Sequence, residues 1–265
     1  MKKKKPSYTA IKVILWPFKM LFKIVSWIFQ GIITGTDKAI SNKGRVKTTA
    51  PSKTEYAPFS IIEELKGSMQ KFEEFLAKNP STIGIILGAR GTGKSAIGLK
   101  LMENMKSLSK KKFFAMGFRE EDMPSWIKMA NSIDEISNDS FVLIDEGGIL
   151  FSSRKSFSDA NKLLSELLLI ARHKDLSIVF ISQNSANLEI NAIRQADYLV
   201  MKPSSLLQRD FERKKIKEIY DQAASRFQRY KNNKGLTYIY SEQFRGFVSN
   251  PLPSFWSQKI SKSFR

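Results

Sequence analysis

The sequence predicts an α/β fold with a mostly parallel sheet. Three observations predict it. Apolar runs of four to six residues, Ile83–Leu87, Phe141–Ile144 and Ser177–Ser182, have the length and composition of strands buried on both faces. Stretches with helical periodicity separate them. Each run ends in a cluster of glycine, acidic or amide residues, and that edge of an open α/β sheet is where ligands bind.

Composition bounds the rest. A chain of 265 residues with 42% hydrophobic residues can bury one sizeable core and a small appendage. It has no cysteine, which excludes a disulfide framework and a thiolate metal site and fits a reducing cytosolic environment. Its single histidine, His173, excludes a histidine-rich metal centre and reads as a surface residue at a helix end. The formal charge of +19 is uneven: residues 1–60 hold 12 basic and 2 acidic side chains, residues 205–265 hold 13 and 5, and the span 61–204 is close to neutral. Basic flanks attract nucleic acid or anionic lipid, although solvated lysine-rich tails give the same count.

The N-terminal element, 1–34, opens on Lys2–Lys5 and continues as a hydrophobic stretch from Ile11 to Ile33. Lys12, Lys19, Lys23, Ser26 and Gln30 recur at spacings that place them on one polar stripe of a helix. Trp16 and Trp27 favour a lipid interface, and Pro17 begins or kinks the main helix. A helix lying in the interface of an anionic membrane is the preferred reading. A short spanning helix and a partner-binding amphipathic helix are its alternatives. A spanning helix with a cytoplasmic basic N-terminus would put the rest of the chain outside the cell, so the expected location is the cytoplasmic face of a membrane, held peripherally or by a short anchor, or else the cytoplasm of a host cell. Residues 35–58, rich in glycine, proline, serine and asparagine, read as a linker. The spacing of Ile62, Leu65, Met69, Phe72 and Leu76 predicts a helix over 61–78, ended by Asn79-Pro80.

The core domain, 59–204, carries the chemistry. The strand Ile83–Leu87 runs into Gly88-Ala89-Arg90-Gly91-Thr92-Gly93-Lys94-Ser95, the G-x-x-x-x-G-K-[ST] pattern, and a helix follows from about Ser95 to Ser107. Glycines let backbone amides curl around phosphate oxygens, and the helix adds its positive end. Lys94 is expected to reach the β- and γ-phosphates of ATP, and the Ser95 hydroxyl to ligate Mg²⁺. The next strand delivers Asp145 and Glu146. Asp145 is expected to hold Mg²⁺ through water and Glu146 to polarise the attacking water. The third strand ends at Gln183, whose amide can sense the terminal phosphate. Lys111–Phe118 and Asp197–Met201 are further strands. The first of these lies between the two nucleotide motifs in the chain. An extra strand inserted between the two motif strands typifies the additional-strand, RecA-like branch of P-loop NTPases, which is the fold class expected here. The C-terminal extension, 205–265, reads as a basic helix from Leu206 to about Tyr230, a turn at Asn232–Gly235 and a strand at Leu236–Tyr240. No role is legible in Asn250–Trp256.

Together these motifs resemble the FtsK–HerA superfamily of DNA-pumping ATPases, with most likeness to zonular-occludens-toxin-like phage assembly ATPases and archaeal viral or mobile-element relatives. The likeness is carried by Phe141–Glu146, Ser153-Arg154, the helix end Ile170-Ala171-Arg172-His173-Lys174-Asp175, Ile181-Ser182-Gln183-Asn184 and Asn191-Ala192-Ile193-Arg194. It does not reach residues 1–60. The resemblance implies a homo-oligomeric ring, usually of six, with ATP sites between neighbours and an arginine supplied across the boundary. Arg194 is the first candidate for that arginine and Arg172 the second. The expected function is an ATP-hydrolysing motor that translocates or packages DNA at a membrane for a virus or mobile element. The alternatives are a membrane ATPase that drives protein assembly or extrusion, and a nucleotide-dependent switch.

Overall fold

The computed structural model describes residues 54–146, 157–188, 190–257 and 259–260. The N-terminal segment 1–34, most of the linker, Gly147-Gly148 and Ser153-Arg154 lie outside the described residues.

Nine strands form one sheet: β1 (Ser60–Gly67), β2 (Thr82–Leu87), β3 (Lys112–Met116), β4 (Ile127–Met129), β5 (Ser140–Asp145), β6 (Leu176–Ile181), β7 (Tyr198–Met201), β8 (Leu236–Ser241) and β9 (Phe244–Ser249). Their order is β1-β9-β8-β7-β2-β6-β5-β3-β4. From β7 to β4 all neighbours are parallel, whereas β8, β9 and β1 add an antiparallel edge. The helices are α1 (Met69–Lys78), α2 (Lys94–Leu108), α3 (Phe157–Ala171), α4 (Ile190–Gln195), α5 (Leu206–Asp210) and α6 (Lys214–Arg229). Side chains alternate along each strand, so the sheet has two apolar faces. Phe141 and Leu143 pack with Phe72 and Leu76 of α1 and with Ile97 and Leu101 of α2. Val142 and Ile144 pack with Leu164 and Leu167 of α3 and with Ile216 and Tyr220 of α6.

The strand order refines the expected insertion. The strand between β2 and β5 is β6, while β3 lies beyond β5. Chain order and spatial order differ here because each parallel crossover can place the next strand on either side. Residues 61–78 are not one helix. Ile61–Lys66 pair with β9, Gly67 turns the chain at φ 73°, and Ser68 caps α1 by accepting from Lys71 N. The basic C-terminal helix is broken at 211–213 into α5 and α6. The described part of the C-terminal extension is also continuous with the core, since β8 and β9 extend the same sheet.

The last linker residues are bonded to α2. Glu55 N donates to Glu103 Oε1 (3.2 Å), Ala57 N to Asn104 Oδ1 (3.2 Å), and Lys100 Nζ to the Glu55 carbonyl (2.8 Å). The segment 250–256 reaches the same cluster: Ser254 N donates to Glu103 Oε2 (3.1 Å), and Phe255 meets Trp126 edge-on. Its role is therefore packing around the back of α2.

Candidate active site

The phosphate loop connects β2 to α2 at the C-terminal edge of the parallel strands. Gly88 is confined twice over. Its φ is 150°, and a Cβ there would stand 2.5 Å from Lys202 Cβ. Gly91, at φ 77°, has the opposite surroundings: it is exposed, and a Cβ built on it meets no heavy atom within 4 Å. The loop is braced by Thr92 Oγ1 donating to the Ala89 carbonyl (2.7 Å) and by Ala89 N donating to the Pro203 carbonyl (3.1 Å). α2 starts without a side-chain cap, at Gly93. Its first-turn amides have no intrahelical carbonyl to meet and face the loop. Arg90 is exposed.

Three of the predicted side chains converge. Asp145 ends β5 in register with Ile181, which brings it beside the start of α2. Ser95 Oγ donates to Asp145 Oδ2 at 2.8 Å. Lys94 Nζ donates to the carbonyls of Gly88 (2.8 Å) and Ala89 (3.0 Å), folded over its own loop. Burial pulls the Lys94 ammonium below its ordinary pKa, and the charges of Asp145 and Glu146 oppose that shift. Asp145 and Glu146 are both buried.

Glu146 is held by a residue to which the sequence assigned no separate role. Ser182 Oγ donates to Glu146 Oε2, and the backbone N–H of Gln183 adds a second hydrogen bond. Burial pushes the Glu146 carboxyl above its ordinary value; the Ser182 hydroxyl opposes this, the Asp145 charge reinforces it, and the Gln183 amide and Lys94 oppose it. A base with a raised pKa loses its proton-accepting form at a higher pH than an exposed glutamate would. Replacing Ser182 with Ala removes a donor to the charged form. Ser182→Ala is therefore expected to move the acid limb of the turnover profile to higher pH and to lower the plateau rate roughly threefold to tenfold. A pH–kcat profile checks this; an unmoved acid limb would take Ser182 away from the working carboxylate.

Gln183 itself is exposed at the tip of β6, and its carbonyl accepts from Gln208 Nε2 of α5. Glu212 accepts from Ser185 N (2.7 Å), so the α5–α6 elbow clamps the loop that follows β6. Lys202, at the end of β7, is a second residue that sequence reasoning missed. It is 1% exposed, and its Nζ donates to the carbonyls of Gly235 (3.1 Å) and Leu236 (3.2 Å) and to Asn250 Oδ1 (2.7 Å). Burial lowers its pKa to about 7. Its stem backs the phosphate loop while its head ties down the β8–β9 hairpin.

The structure does not bring Arg194 or Arg172 to this cluster. Arg194 is exposed in the last turn of α4. Asp197, three residues on, accepts from Ile83 N (2.7 Å) at the N-terminal end of β2. Arg172 is exposed just before β6 begins. Both arginines therefore stand at the edge of the sheet opposite the phosphate loop.

No group of three or more acidic, histidine or cysteine side chains gathers among the described residues, so they form no all-protein metal cage. The Ser95 hydroxyl beside the Asp145 carboxylate is nevertheless oxygen-donor chemistry of the kind a hard divalent cation takes when substrate phosphates complete its shell.

Residues 96–202 match the family model described as zonular occludens toxin (Zot). The match begins one residue after Ser95 and takes in Asp145, Glu146, Gln183 and Arg194. No curated protein sequence matches the chain. Among solved structures, the genome packaging NTPase B204 from Sulfolobus turreted icosahedral virus 2, in complex with ATP-gammaS, is 16% identical at a TM-score of 0.44, over 66% of this chain and 99% of that one. EssC (ATPases 2 and 3) from Geobacillus thermodenitrificans is 8% identical at 0.42, over 83% and 50%. The N-terminal domain of zonular occludens toxin from Neisseria meningitidis is 12% identical at 0.36, over 70% and 99%. From Ala96 in α2 to Lys202 at the end of β7, the chain is similar to the Zot family, as its motifs had indicated.

Proposed function

We propose that the chain is a Mg²⁺-dependent ATP hydrolase that works as a ring-forming motor on DNA at a membrane surface. The observation that carries the hydrolase reading is the convergence of Ser95 on Asp145 at 2.8 Å, with buried Glu146 next in the chain and Lys94 over the loop. A bound Mg²⁺ would neutralise charge on the β- and γ-phosphates, with Ser95 and Asp145 as the residues that hold it. Lys94 exchanges its two loop carbonyls for phosphate oxygens. The loop amides and the start of α2 fix the phosphates in place. Glu146, oriented by Ser182, accepts the proton of the attacking water, and the Gln183 side chain reports the terminal phosphate.

The motor reading rests on the Zot-family match and the resemblance of the motifs. In a ring, Arg194 serves a neighbour's site, since its own lies at the other edge of the sheet. Residues 1–34 supply the membrane contact through their lysine stripe, and the basic flanks supply the grip on DNA. Among the described residues, no helix is long and apolar enough to cross a membrane.

Phosphate release by the purified full chain, with and without duplex DNA, tests this. Turnover is expected to rise with DNA and the effect to fade with salt. Six phosphate contacts would cost about 10³-fold in DNA affinity between ~50 and ~200 mM. Brisk turnover indifferent to nucleic acid would favour protein extrusion instead. The same preparation and one beginning at Tyr56, spun with anionic vesicles, test the anchor: only the full chain is expected to bind them.

A further inference from the structure

Beside the phosphate loop lies a cavity of about 600 Å³ that none of the residues assigned above fills. Thr92 of the loop forms one side of it. Pro203 and Ser204 form the adjoining side, and the Pro203 carbonyl is the one that braces Ala89. The cavity therefore begins where the phosphate cradle ends. Its volume lies within the ~300–1,000 Å³ range of small-molecule sites.

We propose that this cavity seats the nucleoside of the nucleotide whose phosphates the loop 88–95 holds, and that adenine is the base it selects. The proposal rests on the hydrolase reading above and adds to it the part of the substrate the motif does not read. Phe227 of α6 gives the cavity an aromatic wall, and the buried Tyr220 lies behind it. The Tyr220 hydroxyl donates to the Lys202 carbonyl (3.2 Å), which fixes this buried residue against Phe227 at 6.4 Å between ring centroids. Phe227 is fixed edge-on against Phe247 at 5.2 Å and Tyr238 at 6.4 Å, so the wall exists before any ligand arrives. A flat base gains contact there without ordering the protein.

The polar side chains decide which base. Gln228 and Asn233 line the cavity, and each carboxamide carries a donor and an acceptor. Adenine presents the matching pair, an amino group beside a ring nitrogen. Guanine presents two adjacent N–H donors on its pairing edge, which a carboxylate would satisfy, and no carboxylate lines the cavity among the described residues. Lys231 adds positive charge to the lining, while Arg209, which also lines the cavity, is paired with Asp221 at 3.6 Å. Apart from Thr92, all these residues follow Lys202, where the Zot-family match ends. Selection of the base thus belongs to the C-terminal part of the chain.

Dissociation constants of the full chain for ATP, GTP and inorganic tripolyphosphate, measured with Mg²⁺, test the proposal. Wild type is expected to bind ATP roughly tenfold more tightly than tripolyphosphate, the scale of one stacked base. Ala224, which also lines the cavity, is the position from which to fill it. Ala224→Trp is expected to weaken ATP to the level of tripolyphosphate while leaving tripolyphosphate itself unchanged. Gln228→Glu, at an exposed position, is expected to lower the preference for ATP over GTP roughly tenfold. Wild type that binds tripolyphosphate as tightly as ATP overturns the nucleoside seat but leaves the phosphate loop standing. Wild type that binds none of the three overturns the hydrolase reading and the seat with it. If Ala224→Trp loses tripolyphosphate as well, Gln228→Glu decides, and an unchanged ATP:GTP ratio overturns the proposal.

Discussion

Glu146→Gln is expected to bind ATP as tightly as the wild-type chain and to hydrolyse it about 10³-fold more slowly. The two side chains have nearly the same shape, so packing beneath the loop is kept. The amide can still accept from Ser182 through its oxygen, which preserves the contact that orients residue 146. What is lost is the site that takes a proton from water. Burial accentuates the loss, because bulk water cannot readily stand in for a base that is 4% exposed. Nucleotide titration and single-turnover phosphate release separate the two effects; wild-type turnover would remove Glu146 from its role. The same protein tests whether sites are shared between subunits. Mixed with Arg194→Ala, it should recover part of the lost activity at boundaries where an intact Glu146 meets an intact Arg194. No recovery, with assembly confirmed by light scattering, would take Arg194 out of the neighbour's site. Arg194 lies at the far edge of its own sheet, so a part in the reaction would require a neighbour's site.

The phosphate loop and the central strands were legible because their signals are local. β2, β5 and β6 are buried along their whole length, so each appears as an unbroken apolar run, and the chemistry sits in the residues that follow. β1 was misread for the converse reason. It is an edge strand with one partner, Ile61 is 51% exposed and Leu65 38%, and so burial imposes no alternation on it. Its few apolar residues fall by chance into step with the true helix that follows. Ser182 illustrates a different limit. Ser182, Gln183 and Asn184 are all polar, and nothing in their order says which one meets Glu146. The parallel register of β5 with β6 decides, by setting Asp145 opposite Ile181. Lys202 was hidden because a lysine at a strand end reads as a solvated charge. Its burial comes from the hairpin made by residues 236–249, which the sequence did not join to the core sheet.

Lys94→Ala is expected to weaken ATP binding about 10- to 100-fold, the worth of hydrogen bonds from a charged donor, and to lower kcat/KM by about 10³-fold or more. The larger loss in turnover follows because charge grows on the transferring phosphoryl oxygens as the bond breaks, and a fixed cation then stabilises the transition state more than the ground state. The loop should survive the change. Lys94 Nζ bonds only to carbonyls of its own loop in the described structure, at 2.8 and 3.0 Å, while Thr92 and Pro203 brace Ala89 independently. Removing a buried ammonium also relieves the desolvation that depresses its pKa. The variant should therefore melt at close to the wild-type temperature when no nucleotide is present. Thermal melts with and without Mg-ATP give the decisive readout. A ligand at ~100 times its dissociation constant adds about 2.7 kcal/mol to the stability of the wild-type chain, and the same nucleotide concentration should add only about 0.4–1.4 kcal/mol to Lys94→Ala. An undiminished ATP-dependent rise in melting temperature would mean that the phosphates are held elsewhere, and would sink the assignment of the loop itself.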